Sequence, residues 1–281
     1  MSSLPSVVRW PAEAVWQAVQ PLWPSFSVEV LPEIDSTNTE LMRRARAGRD
    51  ECVLLVAQRQ TAGRGRMGRV WQSGAEGSLG DAADGPPSLM MSLGLPLAPR
   101  DWSGLSLAVG LSLAESLDPG GTAGLGLKWP NDLWLQDRKV GGILIETAGT
   151  GAVAAGQPVP PRYVVIGIGL NVLPRQAEGL STPPACLRDF WPEATAPHAL
   201  ERVVPALART VHDFAEQGFA PLQARFATRD VLRGRGVRAS DGLEGTSLGV
   251  GADGALLVHT LQGTQAIHSA EVSVRPVAAP D

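Results

Sequence analysis

The chain has 281 residues, 44% hydrophobic and 19% charged, with a net charge of −4. That is enough to bury one large core and a small one, and the acidic balance gives no global attraction to nucleic acid or to an anionic membrane. No apolar run approaches the ~20 residues of a membrane-spanning helix, the first residues lack the layout of a signal peptide, and Cys52 and Cys186 form no pairing pattern; a reduced, cytoplasmic protein is expected.

Residues 1–30, with scattered Trp and Pro, read as an irregular arm holding a short amphipathic helix near Ala12–Val19. Thr37 and Glu40 fit a capping box that opens a helix through Leu41, Met42 and Ala45 and stops at Gly48. Residues 52–57 and 89–95 are apolar runs of strand length, separated by a Gly/Ala/Asp/Pro-rich surface loop at 74–88. Leu105–Leu117 predicts a mostly apolar helix packed on a sheet. Residues 125–129, 133–135 and 139–146 follow as strands joined by tight turns, with Trp129 held extended by Pro130. A loop at 149–161 precedes a buried strand at 163–168, and residues 198–227 read as two helices interrupted near Gly218. From about residue 231 the texture changes. Residues 236–239, 246–250, 255–260 and 264–268 alternate and are separated by turns such as Asp241-Gly242 and Asp253-Gly254, the pattern of a small antiparallel barrel. A boundary is expected near residue 230, giving domains 1–230 and 231–281.

Two residue types are conspicuously scarce. Of 24 Lys plus Arg only Lys128 and Lys139 are lysine, and the asparagines are Asn38, Asn131 and Asn171. In a chain so rich in arginine, a solvated cation drifts to Arg without penalty. A site that needs a compact ammonium, or an amide that both donates and accepts, cannot. A skewed composition alone leaves such remnants too, so these five residues are candidates for chemical need.

Four short segments carry the chemistry. Gly63-Arg64-Gly65-Arg66-Met67-Gly68-Arg69 fits a dinucleotide GxGxxG only formally, because Val70-Trp71-Gln72 and a loop follow where a helix N-terminus is required. Its interleaved glycines and arginines suit a loop that orders around a phosphate-bearing anion; a basic solvated turn is the competing reading. Lys128-Trp129-Pro130-Asn131-Asp132 leads to Arg138-Lys139-Val140-Gly141-Gly142-Ile143-Leu144, where paired glycines in an apolar strand mark a close approach and Lys139 is placed to meet a carboxylate or phosphate. Gly167-Ile168-Gly169-Leu170-Asn171 offers a slot for a slender apolar ligand, with Asn171 at its mouth. Ser36-Thr37-Asn38 offers three short polar groups at a helix start, either for a small polar ring or as a plain cap.

Read in order, Ser36-Thr37-Asn38, Gln60 with GRGRMGR, KWPND, RKVGGIL and GIGLN resemble the catalytic domain of biotin–protein ligases, from about Leu31 to Asn171. The resemblance implies an α+β fold: a mixed central sheet flanked by helices, of the class II synthetase-like kind, followed by a small C-terminal SH3-like barrel. It implies that ATP adenylates biotin to biotinyl-5′-AMP and that biotin then passes to a lysine of a biotin carboxyl carrier protein. It assigns Ser36, Thr37, Asn38 and Gln60 to the ureido ring, and Gly142, Leu144, Gly167 and Gly169 to the slot for the thiophane ring and tail. Gly65, Arg64 and Arg66 cover the carboxylate and phosphates. Lys139 spans the carboxylate and α-phosphate, so Lys139, Arg64 and Arg66 form the expected catalytic set. Arg69, Trp71 over the adenine, Asn131, Asn171 and a C-terminal Arg275 complete the ATP end. Mg²⁺ is expected with ATP, held by phosphate and water, and no protein metal site is assigned.

The expected protein is a monomer or a homodimer. Some members of the family carry an N-terminal winged helix-turn-helix and repress biotin genes. The 35 residues before Ser36 are too few for one, so no repressor role and no nucleic-acid partner are expected. Met67 stands where some relatives have a basic residue, and the 74–88 loop is longer than usual. Lipoate–protein ligase shares the fold and the adenylation logic, but its motifs differ from GRGRMGR and KWPND.

Overall fold

A computed structural model describes residues 8–72, 85–149, 161–176, 182–268 and 274–277. In chain order its elements are α1 (Ala12–Val19), β1 (Ser27–Ile34), α2 (Thr37–Arg46), β2 (Val53–Gln60), β3 (Ser88–Leu97), α3 (Leu105–Leu117), β4 (Gly126–Lys128), β5 (Asp132–Leu135), β6 (Arg138–Ala148), β7 (Arg162–Asn171), α4 (Ala196–Gln217), α5 (Gln223–Ala227), β8 (Gly236–Ala239), β9 (Glu244–Val250), β10 (Leu256–Thr260), β11 (Gly263–Ile267) and β12 (Val274–Pro276).

Seven strands form a mixed sheet in the order β1-β2-β3-β7-β6-β5-β4. β1 and β2 are parallel and joined through α2; every other neighbouring pair is antiparallel. Alternation along β2 divides the interior. Leu54 and Val56 enter a large core with α1, α3 and α4, whereas Val53 and Leu55 meet Leu41 and Met42 of α2 on the opposite face. α3 buries ten of its thirteen residues, as expected of a helix apolar on most sides. α4 starts at Thr195, whose side chain accepts from the His198 N–H, and ends at Gly218, with φ 65°.

The second sheet has the order β11-β10-β9-β8-β12, antiparallel throughout, with Gly242 and Gly254 at positive φ in its turns. It shares the large core: Val237, Ala239, Val250, Leu256, Val258 and Ile267 pack in one cluster with α3 and α4. The Trp129 indole N–H donates to Gly254 O at 3.0 Å, pinning the KWPND turn to a turn of the second sheet.

Three expectations need correction. The first half of β1 lies within the stretch expected to be an irregular arm. Its Glu29, Pro32 and Glu33 hide a strand that, among the described residues, has a neighbour on one side only, where proline and charge are tolerated; Glu29 pairs with Arg44 and Glu33 with Arg59. The cap of α2 is Ser36, not Thr37: Ser36 Oγ accepts from the Thr39 N–H at 3.4 Å, while Glu40 pairs with Arg43 and Arg44. β12 went unforeseen, being a three-residue strand after the last alternating run. Of the two expected loops, residues 74–84 and 150–160 lie outside the described residues.

Candidate active site

Cross-strand register builds the floor of a cavity on the α2 face of the large sheet. Ser92, Gly167 and Leu144 lie side by side on β3, β7 and β6; one row further along come Met90, Gly169 and Gly142, continued by Asp132 of β5. The start of α2, the arginine loop at 63–72, the KWPND turn and β12 of the second sheet enclose about 450 Å³ above this floor. All the assigned residues line it: Ser36, Thr37, Asn38, Gln60, Arg64, Gly65, Arg66, Arg69, Trp71, Asn131, Lys139, Gly142, Leu144, Gly167, Gly169, Asn171 and Arg275.

The three asparagines share one structural task. Asn38 Nδ2 donates to Leu144 O (3.2 Å), Asn131 Nδ2 to Ile143 O (2.8 Å) and Asn171 Nδ2 to Lys139 O (3.1 Å). All three carbonyls belong to β6. Its partner β5 pairs with it only from residue 138 to 142, so Ile143, which faces that side with its N–H on Asn131 O, has its carbonyl satisfied by the Asn131 amide; Leu144 stays paired with Gly167 of β7, and Asn38 adds a second donor there. Asn171 also donates to Ala185 O (2.9 Å) and accepts from Arg175 (3.0 Å). It is buried, which corrects the expectation that it stands at the mouth of a slot; its amide clamps the backbone that carries Lys139. Residues 183–185 hold the same backbone, Lys139 N donating to Pro183 O and Ala185 N to Lys139 O.

At the α2 end, the Thr37 N–H and hydroxyl lie 2.7 and 3.2 Å from Gln60 Oε1. The two slot glycines prove to be seats. A Cβ on Gly167 would fall 2.0 Å from Asn38 Oδ1, and one on Gly169 would fall 2.5 Å from the Trp71 indole. Trp71 therefore rests on the floor of the slot, its N–H buried without a hydrogen-bond partner among the described residues. A ligand lying over Gly169 displaces the indole. Gly141 serves the sheet itself, since its Cβ would meet the Gly169 carbonyl at 2.6 Å.

The arginine loop is a closed hairpin rather than the start of a helix. Arg64 bridges to Val70, Gly65 N donates to Arg69 O (2.7 Å) and Trp71 N to Gly63 O (2.9 Å), with Met67 turning the chain at φ 56°. Arg64 pairs with Glu146 at 2.9 Å. Arg66 reaches Asn131 Oδ1 at 3.4 Å, and burial pushes its pKa down, against the pull of Asp132. Lys139 Nζ lies 2.6 Å from Asp132 Oδ1 and just above Gly142, whose Cβ would come within 3.2 Å of it. The lining thus concentrates guanidinium and ammonium groups on one side of an apolar floor, an arrangement suited to a carboxylate and a polyphosphate.

Some lining residues carried no role in the sequence assignments. Arg175 donates to Gln72 O, Gln72 Oε1 and Asn171, and Arg235 from the second sheet pairs with Asp137. No motif signalled either. Lys128 was visible through the scarcity of lysine. Its ammonium sits 5.2 Å from the centroid of the Trp134 ring. Burial pushes its pKa down to about 8; Asp132 opposes this, while Lys139, Arg69 and Arg275 add to it. A polyphosphate bound here raises that pKa, so the complex holds protons that the free protein lacks. Affinity is expected to fall as pH rises through 8, and calorimetry at pH 8 should show heats that depend on the ionisation enthalpy of the buffer. Identical heats in two buffers would remove Lys128 from the field of the phosphates.

Comparison with known proteins identifies the family. The Biotin/lipoate A/B protein ligase family model matches residues 30–171, and the Biotin protein ligase C terminal domain matches residues 234–275. The bifunctional ligase/repressor BirA of Escherichia coli K12 is 35% identical over 247 residues, covering 83% of this chain and 69% of the relative. The biotin–[acetyl-CoA-carboxylase] ligase of Paracoccus denitrificans is 32% identical over 253 residues, covering 86% of this chain and 98% of the relative. Among solved structures, the biotin protein ligase of Aquifex aeolicus in complex with biotin and ATP matches with a TM-score of 0.70 at 26% identity, over 89% of this chain and 99% of that one. By the extent of the family match, the identity to these relatives and the matching C-terminal domain, the chain belongs to the biotin/lipoate A/B protein ligase family and is a biotin ligase.

Proposed function

We propose that the protein forms biotinyl-5′-AMP from biotin and ATP and transfers biotin to a lysine of a biotin carboxyl carrier protein, with an acetyl-CoA carboxylase subunit as the first candidate. In the first step the biotin carboxylate attacks the α-phosphorus and pyrophosphate leaves. In the second the acceptor amine attacks the carbonyl of the mixed anhydride, and AMP leaves. Such catalysis consists mostly of positioning and charge stabilisation. The observation that carries the reading is the Lys139 ammonium over Gly142, one row from the Asn38–Gly167 end of the floor. From there it can face a carboxylate and the phosphate that carboxylate attacks.

Ser36, Thr37, Asn38 and Gln60 take the ureido ring in this reading, and Gly142, Leu144, Gly167 and Gly169 line the path of the thiophane ring and tail. Arg64, Gly65 and Arg66 face the carboxylate and phosphates, with Arg69, Trp71, Asn131, Asn171 and Arg275 toward the nucleotide. Mg²⁺ enters as the metal of ATP. Among the described lining residues the carboxylates are Asp132 and Asp137, held by Lys139 and Arg235, so phosphate oxygens and water supply most of its ligands. Residues 1–230 form the catalytic unit, and residues 231–281 contribute Arg235 and Arg275 to its rim.

The proposed setting is cytoplasmic, as a monomer or homodimer without a repressor role. Purified protein with ATP, Mg²⁺ and biotin is expected to add one biotin to a carrier domain, read by mass spectrometry. Pyrophosphate exchange that responds to lipoate and not to biotin would overturn the substrate.

A further inference from the structure

Asn38 is able to present either face of its carboxamide to a ligand, depending on rotation about its terminal bond. Its neighbours decide which. We propose that Ser92 and Glu146, which lie outside every motif, are positioning residues that fix Asn38 as a hydrogen-bond acceptor and thereby make a ring N–H the feature the cavity selects. The inference rests on the reading of this end of the cavity as the ureido site of biotin.

Both hydrogens of Asn38 Nδ2 are committed, to Leu144 O at 3.2 Å and to Glu146 Oε2 at 3.0 Å. Neither partner is able to donate, so a flipped amide would set its oxygen against a carbonyl and a carboxylate. On the other side, Ser92 Oγ lies 2.6 Å from Asn38 Oδ1 and 2.7 Å from Thr37 Oγ1. Ser92 has one hydroxyl hydrogen. The amide oxygen cannot donate, so Ser92 donates to it, and the single Thr37 hydroxyl hydrogen turns to Ser92 at 2.7 Å rather than to Gln60 Oε1 at 3.2 Å, which the Thr37 N–H already serves. Ser92 is fully buried on β3 directly opposite Gly167, and the absence of a side chain there is what lets the Asn38 carboxamide lie against the sheet. One lone pair on Oδ1 is all that Asn38 retains for a ligand.

Glu146 is anchored in turn by Arg64, whose Nη2 and Nη1 lie 2.9 and 3.3 Å from its two carboxylate oxygens. The same carboxylate therefore serves the ring end and the arginine loop. A cyclic urea supplies the N–H that Asn38 accepts; a dithiolane ring has none. A buried acceptor left without a partner makes such a site reject the analogue strongly.

The test compares binding of biotin with binding of biotin methylated on its ring nitrogens, by calorimetry. The wild-type protein is expected to prefer biotin strongly. Glu146→Leu is expected to weaken biotin by about tenfold and to shrink that preference, because it removes one of the two acceptors that hold the carboxamide against rotation; Ser92→Ala, which removes the donor to Oδ1, is expected to shrink it by less. Ser92→Ala should leave the KM for ATP unchanged. Glu146→Gln keeps an oxygen for Asn38 Nδ2 and is expected to restore the preference. Folded Glu146→Leu and Ser92→Ala proteins that lose both ligands in equal proportion would overturn the proposal, as would a Glu146→Gln protein as indiscriminate as Glu146→Leu. Should Glu146→Leu fail to fold, Ser92→Ala decides, since it removes a hydroxyl without adding bulk. A wild-type protein that binds no biotin overturns the ureido reading itself, and is told apart because no variant is involved.

Discussion

Lys139→Ala is expected to slow formation of biotinyl-AMP by about 10²- to 10³-fold, the loss usual when one preorganised donor to developing charge is removed. The ammonium is fixed from three directions: Asp132 at 2.6 Å, Gly142 beneath it, and a backbone clamped by Asn171 and residues 183–185. That fixing is what makes one positive charge worth more here than on a solvated surface. Lys139→Arg is expected to recover little, because a planar guanidinium does not fit the space of a compact ammonium above Gly142. The fold should tolerate Lys139→Ala, since the ion pair is partly exposed and such pairs contribute about 1 kcal/mol or less. Single-turnover adenylation and a thermal melt separate the two effects. Full activity of Lys139→Ala would end the assignment.

Trp129→Ala is expected to act in the opposite way, on stability first. Trp129 is fully buried, and truncation of such a residue costs about 3–5 kcal/mol. It also removes the indole N–H that holds Gly254 O, leaving that carbonyl without this donor. The core is continuous from α3 and α4 into the second sheet, so urea unfolding of the native protein is expected as one transition, and the variant should move its midpoint as a whole. A loss below about 1 kcal/mol, or two transitions of which one alone moves, would contradict the shared core.

The elements with one dominant periodicity were legible in the sequence. α3 and β8 have the bounds that pattern predicts, and the antiparallel texture after residue 231 becomes the second sheet. β1 was not legible, because an edge strand satisfies Glu29 and Glu33 through arginines on neighbouring elements, and a pattern read along one segment does not contain those partners. The candidate site was legible where a composition or a glycine departs from its surroundings, as at Lys139, Asn38 and Gly167. It was illegible at Ser92, Glu146 and Arg175. Serine, glutamate and arginine are ordinary in this chain, and only the register of β3, β7 and β6 and the path of residues 171–176 bring them to the cavity. The glycines of the slot were recognised as spaces, but what fills them, a carboxamide and an indole of the same chain, is a fact of tertiary packing.

The asparagines that hold β6 bear on how the protein ages. Spontaneous deamidation runs through attack of the following backbone nitrogen on the side-chain carbonyl, and proceeds fastest when glycine follows. Here Thr39, Asp132 and Val172 follow the three asparagines, although the chain has 32 glycines. Each carboxamide is also tied to a strand carbonyl, which keeps it from the geometry of attack. Conversion of Asn38 to aspartate would place a second carboxylate beside Glu146 and a bare oxygen against Leu144 O. The bonds that order the strand therefore also guard the three side chains whose chemical decay would disorder it.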